Sequence, residues 1–349
     1  MSTVNTPKPI KPWEETRRDK QKKFLIFCVS VLIGLASVEF TFFNGKTGFV
    51  ISFYISFQTL ISYQAYRKLG SAAVKDTFLK GFALIGIFLT LLPIVSIVST
   101  VALKGYKGLH PGLLFKDMSL ASVNDPITTG GLSHALVGTF IMVFGALIIS
   151  FPIGLLTALY LTEIKGRFSR PIKFLVQAMS GVPSIVAGLF ILSSLVYPIT
   201  KQLSGLMGSF ALSILMIPTI ARTAEEMLLL IPNDLREAGV ALGSTQWRTV
   251  SAVVLPAARS GLVTAIILGV ARIIGETAPL LLVSGGGDAL NVNPTTGAMG
   301  SLPYYIWKSF LTGGTEEAFA RAWAGMLVLL IFIFILFGLA RILSKGNAK

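Results

Sequence analysis

Two charged residues, Arg272 and Glu276, interrupt an apolar run that extends over residues 261–283. A charge in the middle of a membrane span costs on the order of 3 kcal/mol on insertion scales, and it normally faces the interior of a helix bundle. The four-residue spacing places both side chains on one helix face, where they can pair. The arginine could also bind a passing oxyanion through two parallel hydrogen bonds, with the glutamate balancing its charge when no anion is present. The residues alone do not distinguish between two interpretations, a structural ion pair and an anion-binding site.

A second group of charges lies at the end of the apolar run 209–223. Arg222 is followed by Glu225 and Glu226 at spacings of three and four residues. An arginine at the end of a span often only anchors the helix, with its apolar stem in the membrane and its charged head in water. The alternative is a second contact with a transported anion, or a gate on its path.

The polar segment 224–259, between these two runs, carries signals of two short helices outside the membrane. Pro232 suits the first turn of a helix, and Gly243 suits the end of one. Ser244 can cap a second helix, which we expect Pro256 to limit. Two such helices at about a right angle could dock in a groove of a partner protein. A loop that lies on the membrane surface is the alternative.

The composition is typical of a membrane protein. Hydrophobic residues make up 53% of the 349 residues and charged residues 13%, against roughly 25% charged residues in soluble domains. Eight apolar runs approach the roughly 20 residues that a helix needs to cross a bilayer. They are residues 24–43, 49–66, 81–103, 135–161, 174–197, 209–223, 261–283 and 322–343. The second run is only moderately apolar, so it could be a span or an arm at the membrane interface.

Basic residues are distributed unevenly among the segments between these runs. The net charge is +14, and 22 of the 30 Lys and Arg residues fall in segments that an eight-span topology places on one side. Cytoplasmic segments carry such an excess, so the distribution predicts that both termini are cytoplasmic. Without a basic and aromatic recognition module, the same charge does not indicate nucleic-acid binding.

Residue types that serve enzymes and metal sites are sparse. The single cysteine, Cys28, is far in sequence from the two histidines, His110 and His134, and the three show no metal-ligand spacing. The sequence also lacks the Gly-X-X-X-X-Gly-Lys-Ser/Thr pattern of an ATP-binding phosphate loop. We therefore predict no catalytic residue, no metal site and no cofactor bound by this chain.

The polar segment 224–259 carries a longer pattern, Glu-Ala-Gly, three residues, Gly, nine residues, Val-Val-Leu-Pro. It resembles the coupling-loop signature of ABC importer permeases, which reads Glu-Ala-Ala, three residues, Gly, nine residues, Ile-x-Leu-Pro. Gly239 replaces the second alanine, and Val253 replaces the isoleucine. The resemblance implies that this loop docks on an ATPase subunit and transmits its closure. The residues assigned to coupling are Glu237, Ala238, Gly239, Gly243, Leu255 and Pro256.

A second stretch, residues 271–280, reads Ala-Arg-Ile-Ile-Gly-Glu-Thr-Ala-Pro-Leu. It closely resembles the Ala-Arg-x-x-Gly-Glu-Thr-Ala-Pro-Leu run of the PstA family, the permeases of phosphate importers. The resemblance implies that Arg222 and Arg272 serve the passage of phosphate. We expect their acidic neighbours Glu225 and Glu276 to lie on the same pathway.

The resemblance covers roughly residues 77–345 and implies an all-α, polytopic membrane protein with the six-helix core of a type I ABC importer permease. The coupling loop within it is 231–256. Residues 24–76 would add two N-terminal membrane helices and a basic loop, and residues 1–23 a disordered basic arm on the cytoplasmic side.

The partners implied by the resemblance are a PstC-like permease subunit in a heterodimer, two PstB-like ATPase subunits that use ATP, and a PstS-like phosphate-binding protein. The chain would lie in the lipid bilayer of a bacterial inner membrane and carry out no bond chemistry of its own. The charged residues alone also allow a permease for another oxyanion, such as sulfate or molybdate. An ion-coupled secondary anion transporter is a further alternative.

Overall fold

The structure is a computed structural model that describes residues 17–40 and 45–345, and these residues are almost entirely helical. They form two compact units, with the first ending at Ile97 and the second beginning at Val98. The first helices are α1 (Arg17–Phe40), α2 (Gly45–Leu69) and α3 (Ser71–Gly105), and α3 extends from the first unit into the second.

The remaining helices belong to the second unit. They are α4 (Ser133–Leu159), α5 (Ser169–Ser180), α6 (Ser184–Ile191), α7 (Gly205–Leu229), α8 (Asn233–Ala241), α9 (Gln246–Thr249), α10 (Leu255–Ala257), α11 (Arg259–Ile273), α12 (Ala278–Val283), α13 (Leu302–Thr312) and α14 (Glu316–Lys345). Three π-helical turns join consecutive helices, at Tyr160–Ile164, Leu192–Thr200 and Val250–Val254. A short 3₁₀ helix, Tyr106–Gly108, follows α3.

In the first unit, α1 and α2 pack through aromatic rings. Phe27 of α1 lies edge-on to Phe53 and Phe57 of α2, with ring centroids 5.6 and 6.4 Å apart. The buried Gln58 of α2 donates a hydrogen bond to the Thr77 carbonyl, 3.0 Å away, which ties α2 to the start of α3. Helix α1 begins at Arg17, inside the arm predicted over residues 1–23, so the disordered arm is wrong for residues 17–23. Residues 1–16 of that arm lie outside the described residues.

The core of the second unit forms where α4 and α11 pack against α7. Ile220 of α7 is fully buried. A Cβ atom added at Gly154 of α4 would lie 2.8 Å from its Cγ2 atom, and one added at Gly269 of α11 would lie 2.8 Å from its Cγ1 atom. Glycines thus let two helices approach the same isoleucine closely, as small residues do in membrane helix packing.

Five helices of the described chain are long and apolar enough to cross a membrane. They lie within Lys20–Glu39, Ser71–Gly108, Ser133–Ile164, Gly205–Leu229 and Glu316–Ile342. The number rises to seven if each of two bent helix pairs is one span. The predicted eight spans are therefore not found: α2 does not qualify, and the predicted run 261–283 is broken after Ile273.

Two polar stretches, within residues 104–133 and 284–317, are joined to each other by hydrogen bonds. Asp117 accepts a hydrogen bond from the Leu290 amide at 3.0 Å, and Met118 donates its amide to the Asp288 carbonyl at 2.9 Å. The hydrogen bond from Leu290 is the largest of the influences that lower the pKa of Asp117. A carboxylate that accepts backbone hydrogen bonds favours its charged form.

Arg321 precedes the predicted apolar run 322–343, yet it is part of a helix. It lies in the second turn of α14 and is fully buried. Its Nη2 atom donates hydrogen bonds to the carbonyls of Asp125, Pro126 and Thr129, at 3.2, 2.7 and 2.6 Å. One buried guanidinium thus fixes the turn 125–129 against α14.

Candidate substrate pathway and coupling loop

Arg272 and Glu276 lie at a break between two helices. Arg272 is in the last turn of α11, which ends at Ile273, and α12 begins only at Ala278. The prediction of a continuous span over 261–283 is therefore wrong. Pro279 explains the break, because it has no N–H for the carbonyl four residues earlier and its ring would clash there.

The predicted ion pair is confirmed, because the Nη1 atom of Arg272 lies 2.7 Å from Oε1 of Glu276. The Arg272 side chain remains 45% exposed, whereas that of Glu276 is 15% exposed. The hydrogen bond to Glu276 uses a single N–H of the guanidinium, so its other donors can bind an oxyanion. Gly275 leaves open space beside the pair, since no atom of the described residues lies within 4 Å of a Cβ atom built there.

Arg222 has a partner that the sequence analysis missed. Its Nη1 atom donates a hydrogen bond to Oε1 of Gln177 in α5. Glu225 pairs with Lys173 of the same helix, with an Nζ–Oε1 distance of 2.9 Å. Helix α5 therefore presents a polar face to the end of α7. The signal was in the sequence, since Lys173 and Gln177 are four residues apart and share one helix face.

Arg222 and Arg272 lie at different levels along the axes of α7 and α11. Met227 of α7 lies against Gly261 of α11, and Ile220 lies against Gly269, so the two helices run antiparallel. Arg272 is three residues beyond Gly269, and Arg222 lies between Met227 and Ile220. At 1.5 Å per residue, the five residues between the two levels separate the arginines by about 8 Å along the helix axes.

The polar segment between α7 and α11 contains the two predicted helices, α8 and α9. Gly243 has a φ of +80°, the left-handed conformation that suits a glycine after a helix end. The predicted Ser244 cap is wrong by one residue, because Thr245 accepts the hydrogen bond from the Arg248 amide. Nor does Pro256 end the second helix: it lies in α10, after the π-helical turn. The extra residue of that turn shifts the hydrogen-bonding pattern and accommodates the missing N–H.

The residues assigned to coupling divide between an exposed and an inward face. Glu237, Ala238 and Gly243 are exposed. Gly239 is buried, and a Cβ atom added to it would lie 2.6 Å from Cγ2 of Thr249. This contact explains the glycine at a position where the signature has alanine. Pro256 is exposed and its neighbour Leu255 is partly buried.

Comparison with known proteins adds a second line of observation. Residues 150–349 match the family described as binding-protein-dependent transport system inner membrane component. The phosphate transport system permease protein PstA 1 of Mycobacterium tuberculosis is 37% identical over 261 residues, which cover 74% of this chain and 85% of that protein. The chain belongs to the PstA family. PstA of Pasteurella multocida is 34% identical over 279 residues, which cover 79% of this chain and 96% of that protein.

A solved structure supports the fold. A chain of the MetNI methionine ABC transporter, in an inward-facing conformation, matches with a TM-score of 0.51 at 21% identity, covering 62% of this chain and 94% of that one. The chain thus has the fold of an ABC importer permease over the matched part. Like other PstA-family members, the chain is a multi-pass inner membrane protein and a transport subunit, and a partner ATPase hydrolyses the ATP. The predicted family and transport role are confirmed.

Proposed function

We propose that this chain forms half of the translocation pathway of an ATP-driven phosphate importer. The exposed guanidinium of Arg272, held by Glu276 at a helix break, carries the proposal. A binding site made by a helix break within the membrane can expose backbone and charge to a substrate without exposing them to lipid. Arg222 and Glu225 would form a second station, with Arg222 about 8 Å nearer the loop that contains α8 and α9.

The pairing of both arginines suits transport rather than tight binding. Glu276 competes with an anion for Arg272, and Gln177 occupies a donor of Arg222. A substrate that must leave on each cycle requires binding sites that release it readily. As it passes, phosphate would replace Glu276 and Gln177 as the hydrogen-bond acceptor of each arginine.

In the proposed assembly, a PstC-like permease supplies the other half of the pathway, and two PstB-like ATPases bind inside. A PstS-like protein delivers phosphate from outside. The exposed side of α8, with Glu237 and Ala238, would enter a groove of one ATPase. Both termini would lie in the cytoplasm. Residues 77–345 would form the six-helix core, and 24–76 the two additional N-terminal membrane helices.

Uptake by the complete complex in proteoliposomes tests the proposal. Arg272→Gln should abolish phosphate uptake, and Arg272→Lys should retain part of it at most, because an ammonium cannot make the two parallel hydrogen bonds of a guanidinium. Arg341→Gln, an exposed arginine near the end of α14, is the matched control. Unaltered uptake in both Arg272 variants would refute the pathway. Uptake of sulfate in preference to phosphate would show that the proposed substrate is wrong and that sulfate is transported instead.

A further inference from the structure

An ion pair joins the loop that contains α8 and α9 to the end of α4. Arg236 of α8 lies against Glu163, in the π-helical turn Tyr160–Ile164. The Nη2–Oε1 distance is 2.9 Å and the Nε–Oε2 distance is 3.1 Å, so the contact is bidentate. The side chains are 20% and 8% exposed. Bidentate pairs of this kind fix geometry more strongly than single contacts between charges.

The same guanidinium also holds the end of α7. Its Nη2 atom donates to the Leu228 carbonyl at 2.9 Å, and its Nη1 atom donates to the Ile231 carbonyl at 2.7 Å. Carbonyls at the end of a helix have no partner within it, so side-chain donors stabilise them. Arg236 therefore bonds simultaneously to groups at the ends of α4 and α7.

Glu163 contacts both helices of the loop. Its carboxylate binds Arg236 of α8, and its main-chain carbonyl accepts a hydrogen bond from Nε2 of Gln246 in α9, at 2.7 Å. The π-helical turn that contains Glu163 is closed by Lys165, whose φ is +50° and whose amide donates to the Tyr160 carbonyl. The turn at the end of α4 thus binds both helices of the loop through Glu163.

We propose that Arg236 and Glu163 form a clasp that makes α8 move together with the ends of α4 and α7. The clasp rests on the proposed function, in which an ATPase pushes α8. Glu237 on the exposed side would receive that push, and Arg236 on the inward side would pass it on. Arg236 and Glu163 are positioning residues, since neither lies with the arginines of the pathway.

The polar clasp attaches α8 directly to the ends of α4 and α7. The turn Val250–Val254, after α9, is held by apolar packing, because Val250 and Val254 are buried with Ala158, Leu159, Ala224 and Leu228. Helix α8 packs chiefly on α9 and this turn. Its polar anchor to α4 and α7 is Arg236. Loss of the clasp would leave α8 docked on an ATPase but free to swing without moving α4.

A double-mutant cycle in the complete complex tests the clasp. The variants are Glu163→Gln, Arg236→Gln and the double substitution. The control is Arg341→Gln, which removes the same charge from an exposed position of α14, outside the loop. We measure retention of the ATPase subunits, phosphate imported per ATP hydrolysed, and amide hydrogen exchange over residues 233–241.

We expect each single variant to keep its ATPase subunits, while import per ATP falls roughly 2- to 30-fold, the usual range for one coupling element. Exchange of the α8 amides should accelerate by a similar factor. The double variant should be no worse than the poorer single variant, because both remove the same contact and a lone buried charge is costly. Arg236→Lys should recover part of the coupling. The control should match the native complex.

Three results would overturn the clasp. Import per ATP could be unchanged in both single variants, the two losses could multiply in the double variant, or either single variant could release the ATPase subunits. The exchange measurement needs no substrate, so it separates the two proposals. If the native complex imports no phosphate while the variants still accelerate exchange of α8, the proposed substrate is wrong and the mechanical clasp stands.

Discussion

Gly239→Ala tests how closely α8 packs on the segment that follows it. The new Cβ atom would lie 2.6 Å from Cγ2 and 2.8 Å from Oγ1 of Thr249. Carbon atoms in contact are normally about 3.5–4.0 Å apart, so the helix must move by roughly 1 Å. Thr249 is buried and β-branched, and its side chain has few alternative rotamers in a helix.

Overpacking of this kind costs about 1–3 kcal/mol, and replacing a helical glycine by alanine returns at most about 1 kcal/mol. We expect a net loss on the order of 1 kcal/mol in the local stability of α8. Thr249→Ala in the same chain removes the two closest atoms. It sacrifices no hydrogen bond seen in the structure, since the Thr249 hydroxyl is buried without a partner among the described residues. The double variant should therefore be more stable than Gly239→Ala alone.

Hydrogen exchange of the α8 amides and limited proteolysis of residues 231–256 measure this stability. Gly338→Ala in α14 is the matched control, because a Cβ atom built there has no neighbour within 4 Å in the part of the chain that the structure describes. The close packing of α8 on Thr249 would be refuted if the α8 amides exchanged as fast in the double variant as in Gly239→Ala, or faster.

Three further predictions concern the fold. Ile220→Ala should lower the stability of the detergent-solubilised protein by about 2–5 kcal/mol, because it leaves a cavity between three helices; an unchanged melting temperature would contradict this. Arg321→Gln should expose the turn 125–129 to protease, since a buried donor to three carbonyls is lost; native resistance would argue against it. Because folding lowers the pKa of Asp117, its ionised form stabilises the contact with Leu290 above about pH 4, and this is lost as the pH falls through the lowered pKa. Exchange of the Leu290 amide should follow that dependence, and Asp117→Asn should remove it.

The helices and the family could be predicted from the sequence because long apolar runs and a spaced motif are local signals. The predicted runs 81–103, 135–161 and 322–343 all lie within the helical segments observed. The loop helices were predictable from Pro232 and Gly243, whose backbone preferences act within one or two residues. The position of the second cap was missed because Ser244 and Thr245 are both able to cap a helix.

Features that depend on distant partners were missed. Arg236 and Glu163 are 73 residues apart, and no local pattern in the sequence connects them. Arg321 precedes the predicted run 322–343, and its burial was missed because its acceptors are carbonyls, which leave no trace in a sequence. Helix α13 was overlooked in the stretch 284–317, where glycine and polar residues dominate the surrounding sequence. The break at residues 274–277 was signalled by Pro279, but the apolar residues on both sides obscured it.

Accessibility of the helix break tests the central claim most directly. Cys28 is the single cysteine, so Cys28→Ser gives a background in which Gly275→Cys places one thiol beside Arg272. In the complete complex, an anionic thiosulfonate reagent should modify this thiol faster than a cationic one of equal size, because the guanidinium attracts the anion. Phosphate should slow the reaction. Modification by lipid-soluble reagents alone, or a rate that phosphate leaves unchanged, would contradict a pathway at Arg272.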